Sequence, residues 1–200
     1  MADSDFHAKL KYSENIENFS GLNRLAGKLY RSNPLNKKAL YMDISSEELK
    51  HLLESLNRYN VKYLLVGGMA AVVHGHIRTT QDMDLWVKND PENTKALVSA
   101  LAENEVPGSD LLLGMSLIFG RTSVRFGLSG FELDLGHSLK AFAEADFDAC
   151  YKRALEADFD GIPFSVIRLR DLITEKAATA QPKDLADLEE LQRSWDSQQY

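Results

Sequence analysis

The first sharply periodic segment of the chain opens at Ser45-Ser46-Glu47-Glu48. A serine that accepts from an early helix amide, with a glutamate three residues on reaching back, is a capping box. Leu49, Leu52, Leu53 and Leu56 follow at helical spacing and predict an amphipathic helix over 46–58. Asn57-Arg58-Tyr59-Asn60 turns the chain into a strand at 61–66, whose apolar run Tyr63-Leu64-Leu65-Val66 stops at Gly67-Gly68. A short helix from Met69 to His74 and a second strand at 82–88 are predicted next. Asp90-Pro91 starts another helix, with Asp90 as N-cap and the proline in the first turn, running to about Asn104. Between 107 and 120 the period is ambiguous, and Leu111 to Leu113 and Leu117 to Phe119 read as short strands. Val124 to Phe126 and Phe131 to Leu135 form a hairpin around Gly127-Leu128-Ser129-Gly130. A helix over 142–156, a strand from Phe164 to Ile167 and two helices at 169–179 and 183–195, with Pro182 between them, complete the reading. Leu185, Leu188 and Leu191 mark the buried stripe of the last helix.

Residues 1–42 show no sustained period and read as an extension ahead of one domain over 43–200. Leu22, Leu25, Ala26 and Leu29 predict one short helix within that extension, ended by Asn33-Pro34. The fold class is α/β (α+β): a small mixed sheet flanked by helices, with a helical C-terminal region at 169–195.

Composition narrows the setting. Two hundred residues, 44% apolar and 26% charged, form an ordinary globular chain that can bury a core. The longest mostly apolar stretch, Tyr63 to Val73, is broken by glycines and too short for a bilayer, so no membrane partner is expected. The N-terminus MADSDFHAKL has no apolar segment after a basic start, unlike a secretory signal. The single cysteine, Cys150, excludes an internal disulfide and fits a reducing cytoplasm; it reads as a small core residue rather than a catalytic thiol. The net charge of -7 argues against broad binding of nucleic acid. Residues 1–42 nevertheless carry seven lysines and arginines against four acids, a net +3, which leaves -10 for the remainder. That basic arm is either a contact for RNA or an acidic partner protein, or a solvated tail.

The chemistry concentrates in three places. Alternation along the second strand puts Asp82 and Asp84 on one face, about 7 Å apart, and Met83, Leu85 and Val87 on the other. Carboxylates that close repel, and a divalent cation with a preference for hard oxygens, such as magnesium, removes the conflict. Gly67-Gly68, between strand and helix, lets the backbone approach a ligand and offers amides to an anion; the alternative is a tight turn with no ligand. Phe131-Glu132-Leu133-Asp134-Leu135 supplies a third carboxylate, Asp134 by preference and Glu132 in reserve, or else an edge strand with polar residues in water. Arg78 and Thr80, just ahead of the aspartate pair, contact phosphate or brace the turn. His74 and His76 sit among oxygen ligands, which disfavours zinc, and His74 reads as a helix-end residue packed on its neighbours.

These segments, VKYLLVGGMAAVVHGHIRTTQDMDLWV, FELDL and LRDLITEKAATAQPKDLADLEEL, resemble the polymerase-β-type nucleotidyltransferase superfamily. The likeness is sharpest to the small bacterial nucleotidyltransferase-like proteins related to type IV abortive-infection toxins, and it covers about residues 47–193. The resemblance implies transfer of a nucleotidyl group from a nucleoside triphosphate to an acceptor hydroxyl, dependent on magnesium or manganese, with pyrophosphate leaving. The acceptor would be RNA, a protein or a small molecule, and the chain a toxin or toxin–antitoxin component. Asp82 and Asp84 would hold the metals, Asp134 would join the second metal and activate the acceptor, and Gly67 and Gly68 would cradle the triphosphate. Lys176 would reach the phosphates as a point charge, or else be an exposed helical lysine; Lys183 and Asp184 read as a helix-start salt bridge. Relatives usually carry an arginine near the position of Gln181, whose lack of charge bears on nucleotide affinity and on activity. The alternative is a binding module that keeps the fold and does not turn over, and a further rival is a metal phosphohydrolase.

Overall fold

The arrangement of the sheet follows from which strands are apolar on both faces. A computed structural model describes residues 47–76, 80, 82–126 and 131–197, together with Asn15, Glu17 and Asn18. The helix expected at 22–29, Arg78 and the tip of the hairpin at 127–130 lie outside the described residues. Helix α1 (Glu47–Arg58) leads into β1 (Tyr63–Val66), then α2 (Gly67–Val73), β2 (Asp82–Val87) and α3 (Pro91–Glu103). Strands β3 (Ser123–Phe126) and β4 (Phe131–Gly136) follow, then α4 (Phe147–Lys152), β5 (Leu155–Phe159), β6 (Ile162–Val166), α5 (Leu169–Thr179) and α6 (Pro182–Ser197). The six strands form one mixed sheet in the order β3-β4-β2-β1-β6-β5. Strand β1, buried at all four residues, lies near the centre, antiparallel to β2 and parallel to β6. Strand β2 runs parallel to β4, so the chain must cross over between them.

The apolar face of β2, Met83, Leu85 and Val87, is buried. Leu49, Leu52, Leu53 and Leu56 of α1 are buried as their spacing requires, and α1 packs on α3 and β6. Asp90 caps α3 by accepting from the amides of Glu92 (2.9 Å) and Asn93 (3.2 Å). Asn93 then binds the chain on both sides, donating to Lys62 O and Lys88 O at 3.0 Å and accepting from Lys62 N at 2.7 Å. This one amide side chain fixes the start of β1 against the end of β2. Among the described residues no helix is long and apolar enough to cross a membrane.

Five local expectations need correction. The helix expected over 142–156 is only α4, because Leu155–Phe159 pairs with β6 as a hairpin. Its two-residue turn, Asp160-Gly161, has positive φ at both residues (50° and 82°), the conformation that Asp-Gly favours. The short strands expected within 107–120 are absent: Ser109–Leu112 is a 3-10 turn, and Gly108, Gly114 and Gly120 take positive φ and interrupt any alternation. Helix α2 begins at Gly67 rather than Met69. Helix α6 begins with Pro182, which occupies its first turn instead of separating two helices. Its expected apolar stripe is also different: Leu185 is 52% exposed, and the inward face is Asp184, Asp187 and Leu191.

Cys150 is buried, and burial pushes its thiol up to about 11, so its role is packing. The corrected face of α6 generates a stability contrast. Leu191→Ala is expected to cost about 2–5 kcal/mol in urea denaturation, and Leu185→Ala no more than about 0.5 kcal/mol. Equal costs would mean that α6 is rotated from the orientation described.

Candidate functional site

The site starts from a matter of register. In the parallel pair β2·β4, Asp82 lies beside Glu132 and Asp84 beside Asp134. Lateral neighbours in a sheet point to the same face, and adjacent strands are only about 4.8 Å apart. Four carboxylates therefore share one face, and all four line a single cleft of about 510 Å³. The cleft continues to Gly67, Gly68 and Thr80 on one side and to α5 and the first turn of α6 on the other.

Each acid is held differently. Glu132 is paired with Arg125 on the adjacent edge strand, with contacts of 2.9 Å to Nε and 2.8 Å to Nη2. Asp134 is held by hydrogen bonds instead, accepting from the Gly120 amide at 2.7 Å and the Ser123 hydroxyl at 3.1 Å. Burial nevertheless raises its pKa, with Asp82 adding to the rise and the Gly120 and Ser123 bonds opposing it. Asp82 accepts from the Thr80 hydroxyl at 3.0 Å, so buried Thr80 braces this β2 carboxylate.

Asp84 carries the strain of the arrangement. Burial, followed by the charges of Asp82 and Asp134, pushes its pKa up to about 7, while the Gly68 amide and the charge of Lys183 pull the other way. Its carboxylate is seated directly on the turn after β1. A Cβ built on Gly67 would lie 1.8 Å from Asp84 Oδ2, and Gly67 has φ +65°. Only glycine satisfies both conditions there. The Gly68 amide, expected to face a phosphate, is directed at Asp84 in this structure.

The lysines divide their work. Lys176 on α5 lines the cleft, but its ammonium is buried and held by Asp184 Oδ1 (2.8 Å) and Asp187 Oδ2 (2.6 Å). It is thus not an exposed helical lysine, and Asp184 pairs with it rather than with Lys183. Asp187 also meets His76 Nε2 at 3.1 Å, which ties α6 to the segment just past α2. Lys183, at the start of α6, is the exposed lysine whose charge acts on Asp84. Gln181 lines the same cleft. His74 is buried with Nε2 2.8 Å from Ile167 O, and burial holds its pKa down to about 4, as a packed neutral imidazole requires.

The donor set fits a hard divalent cation: carboxylate oxygens crowd one face, and ionisation of the middle one is opposed by its neighbours. Among the described residues no three acidic, histidine or cysteine side chains close round a single point.

Sequence reading missed Lys183, Gly120, Ser123 and Phe119 as cleft residues. Ser123 was within reach, because it sits opposite Asp134 in the predicted hairpin. A backbone amide such as that of Gly120 leaves no side-chain signal.

The crowding has a pH signature in metal-free buffer. An unfolded aspartate loses its proton near pH 4, whereas folded Asp84 keeps its proton up to about pH 7. Between those values the folded chain binds the extra proton, so this group's contribution lowers stability as pH rises and levels off above 7. Asp84→Asn removes that slope and is expected to be more stable than the wild type at pH 8 by roughly 1–4 kcal/mol. Urea melts in chelator from pH 5 to 8 test this; parallel profiles for the two proteins would contradict it.

No curated protein matches the chain. Residues 41–194 match the family described as "Nucleotidyltransferase of unknown function (DUF6036)". With most of its length matched, and with the acidic strand pair and glycine turn inside the match, the chain belongs to this nucleotidyltransferase family.

Proposed function

We propose that the cleft transfers a nucleotidyl group from a nucleoside triphosphate to an acceptor hydroxyl and releases pyrophosphate. One observation carries the reading: Asp82, Asp84 and Asp134 stand side by side on one sheet face, at a glycine turn that allows close approach. Asp82 and Asp84 hold magnesium or manganese, and Asp134 joins the second ion. When bound, the metal neutralises phosphate charge and lowers the pKa of the acceptor hydroxyl. The acceptor oxygen attacks the α-phosphorus, the bond to pyrophosphate breaks, and Asp134 takes the hydroxyl proton. Gly67 and Gly68 would bring backbone close to the triphosphate. Lys183 meets the phosphates as a point charge, and Lys176 braces the wall behind it.

The acceptor belongs to the class of RNA ends, protein hydroxyls or small molecules. The body at 43–200 carries -10 and repels long nucleic-acid tracts, so an RNA acceptor would enter by its end. A cytoplasmic toxin–antitoxin role, with a partner protein bound by the basic residues of the first 42, fits this chemistry.

A second reading is favoured by the cleft's positive side. Lys176 is neutralised by two aspartates and position 181 is uncharged, an arrangement suited to binding a nucleotide without turning it over. Pyrophosphate release with each of the four ribonucleoside triphosphates separates the readings. Transfer predicts magnesium-dependent release, background release by Asp82→Ala, and a loss of about 10²–10⁴-fold in Asp134→Asn. Binding alone predicts background release by the wild type together with a nucleotide-dependent rise in melting temperature. Release of inorganic phosphate in place of pyrophosphate would indicate a phosphohydrolase.

A further inference from the structure

The cleft wall includes two partly buried apolar side chains, Phe119 and Leu139, with the polar Lys140 and Glu175 also in the lining. They are brought together by specific ties. The Leu117 amide donates to His137 Nδ1 at 3.3 Å and the His137 amide returns to Leu117 O at 3.0 Å, which clamps the segment before β3 onto the end of β4. The amides of Lys140 and Ala141 donate to the two oxygens of Glu175 at 3.0 and 2.8 Å, which fixes Leu139 beside α5.

Phe119 is the member of this wall with a flat surface. One side of its ring rests on Gly136, where an added Cβ would come within 2.2 Å of the ring carbon Cδ2. A side chain at 136 would push the ring away; glycine lets it lie on the backbone. The ring remains only partly buried and lines the cleft. The residue that follows it, Gly120, donates its amide to Asp134. The ring is therefore positioned next to the acidic face but is itself apolar, backed by protein on one side.

We infer that Phe119 is the platform on which the nucleobase of the triphosphate stacks, with Leu139 as its apolar neighbour in the cleft lining. This rests on the nucleotidyl-transfer reading of the cleft. A ring face recognises the π-surface shared by all bases, so it supplies affinity with little discrimination beyond a preference for the larger purines. The triphosphate then extends from this wall across the aspartates to Gly67-Gly68 and Lys183.

Calorimetric titration in magnesium with ATP, GTP, CTP, UTP and inorganic tripolyphosphate tests the assignment. The wild type is expected to bind at least one purine triphosphate more tightly than tripolyphosphate. Phe119→Leu, which keeps apolar bulk over Gly136, should weaken that nucleotide about tenfold and leave tripolyphosphate unchanged. Phe119→Trp should restore nucleotide affinity and show quenching of the new indole on binding. Wild-type binding that survives Phe119→Leu, or a loss shared equally by tripolyphosphate, would overturn the stacking role while leaving nucleotide binding standing. No binding of any triphosphate by the wild type would overturn the nucleotidyl reading, and the platform with it.

Discussion

The structure is organised around a repulsion that the fold does not relieve. Parallel pairing of β2 with β4 places Asp84 against Asp134, with Asp82 one alternate position away. In a half-buried setting such a group resists full ionisation, which is why the proton on Asp84 persists to about neutrality. The surroundings accept this cost in specific ways. Gly67 gives up its side chain so that Asp84 can sit against the backbone, and Thr80, Ser123 and the Gly120 amide hold the outer carboxylates in place. In the nucleotidyl-transfer reading, a divalent cation with phosphate ligands would turn this repulsion into attraction.

The supporting frame is built from apolar pairing below and ion pairing behind. The odd face of β2 is buried in the core, so the register that puts Asp82 and Asp84 into the cleft is fixed by Met83, Leu85 and Val87 on its opposite side; a slip of one residue would exchange the two sets. Behind the cleft, buried Lys176 pairs with Asp184 and Asp187 and joins α5 to α6, while His76, beyond the end of α2, meets Asp187. Removing one member of such a group leaves its partners charged and dry, so these residues govern the shape of the wall even without touching a substrate.

Much of this was legible before any coordinates. The Asp90-Pro91 start, the glycine stop after β1 and the period-two aspartates each carry a local physical cause, and the corresponding elements are present, while the serines of the expected capping box lie outside the described residues. Legibility failed where local and tertiary signals competed. Residues 142–156 are rich in alanine and read as helix, yet Asp160-Gly161 allows a tight hairpin that pulls 155–159 into the sheet. The last helix reads as leucine-faced, yet its buried stripe is acidic because a lysine from α5 waits beneath it. Pairings of that kind join residues on different elements, and no periodicity within one segment reveals them. The same holds for Phe119, whose place depends on Gly136 in another strand.

The central claim is that the aspartate face and a nucleotide complete a metal site together. Calorimetric titration of magnesium into the protein, with and without a non-hydrolysable nucleoside triphosphate analogue, measures it directly. The account predicts saturable metal binding that depends on the analogue and is lost in Asp84→Asn while that variant stays folded. Metal uptake that is absent in the wild type with the analogue present, or unchanged in Asp84→Asn, would contradict it.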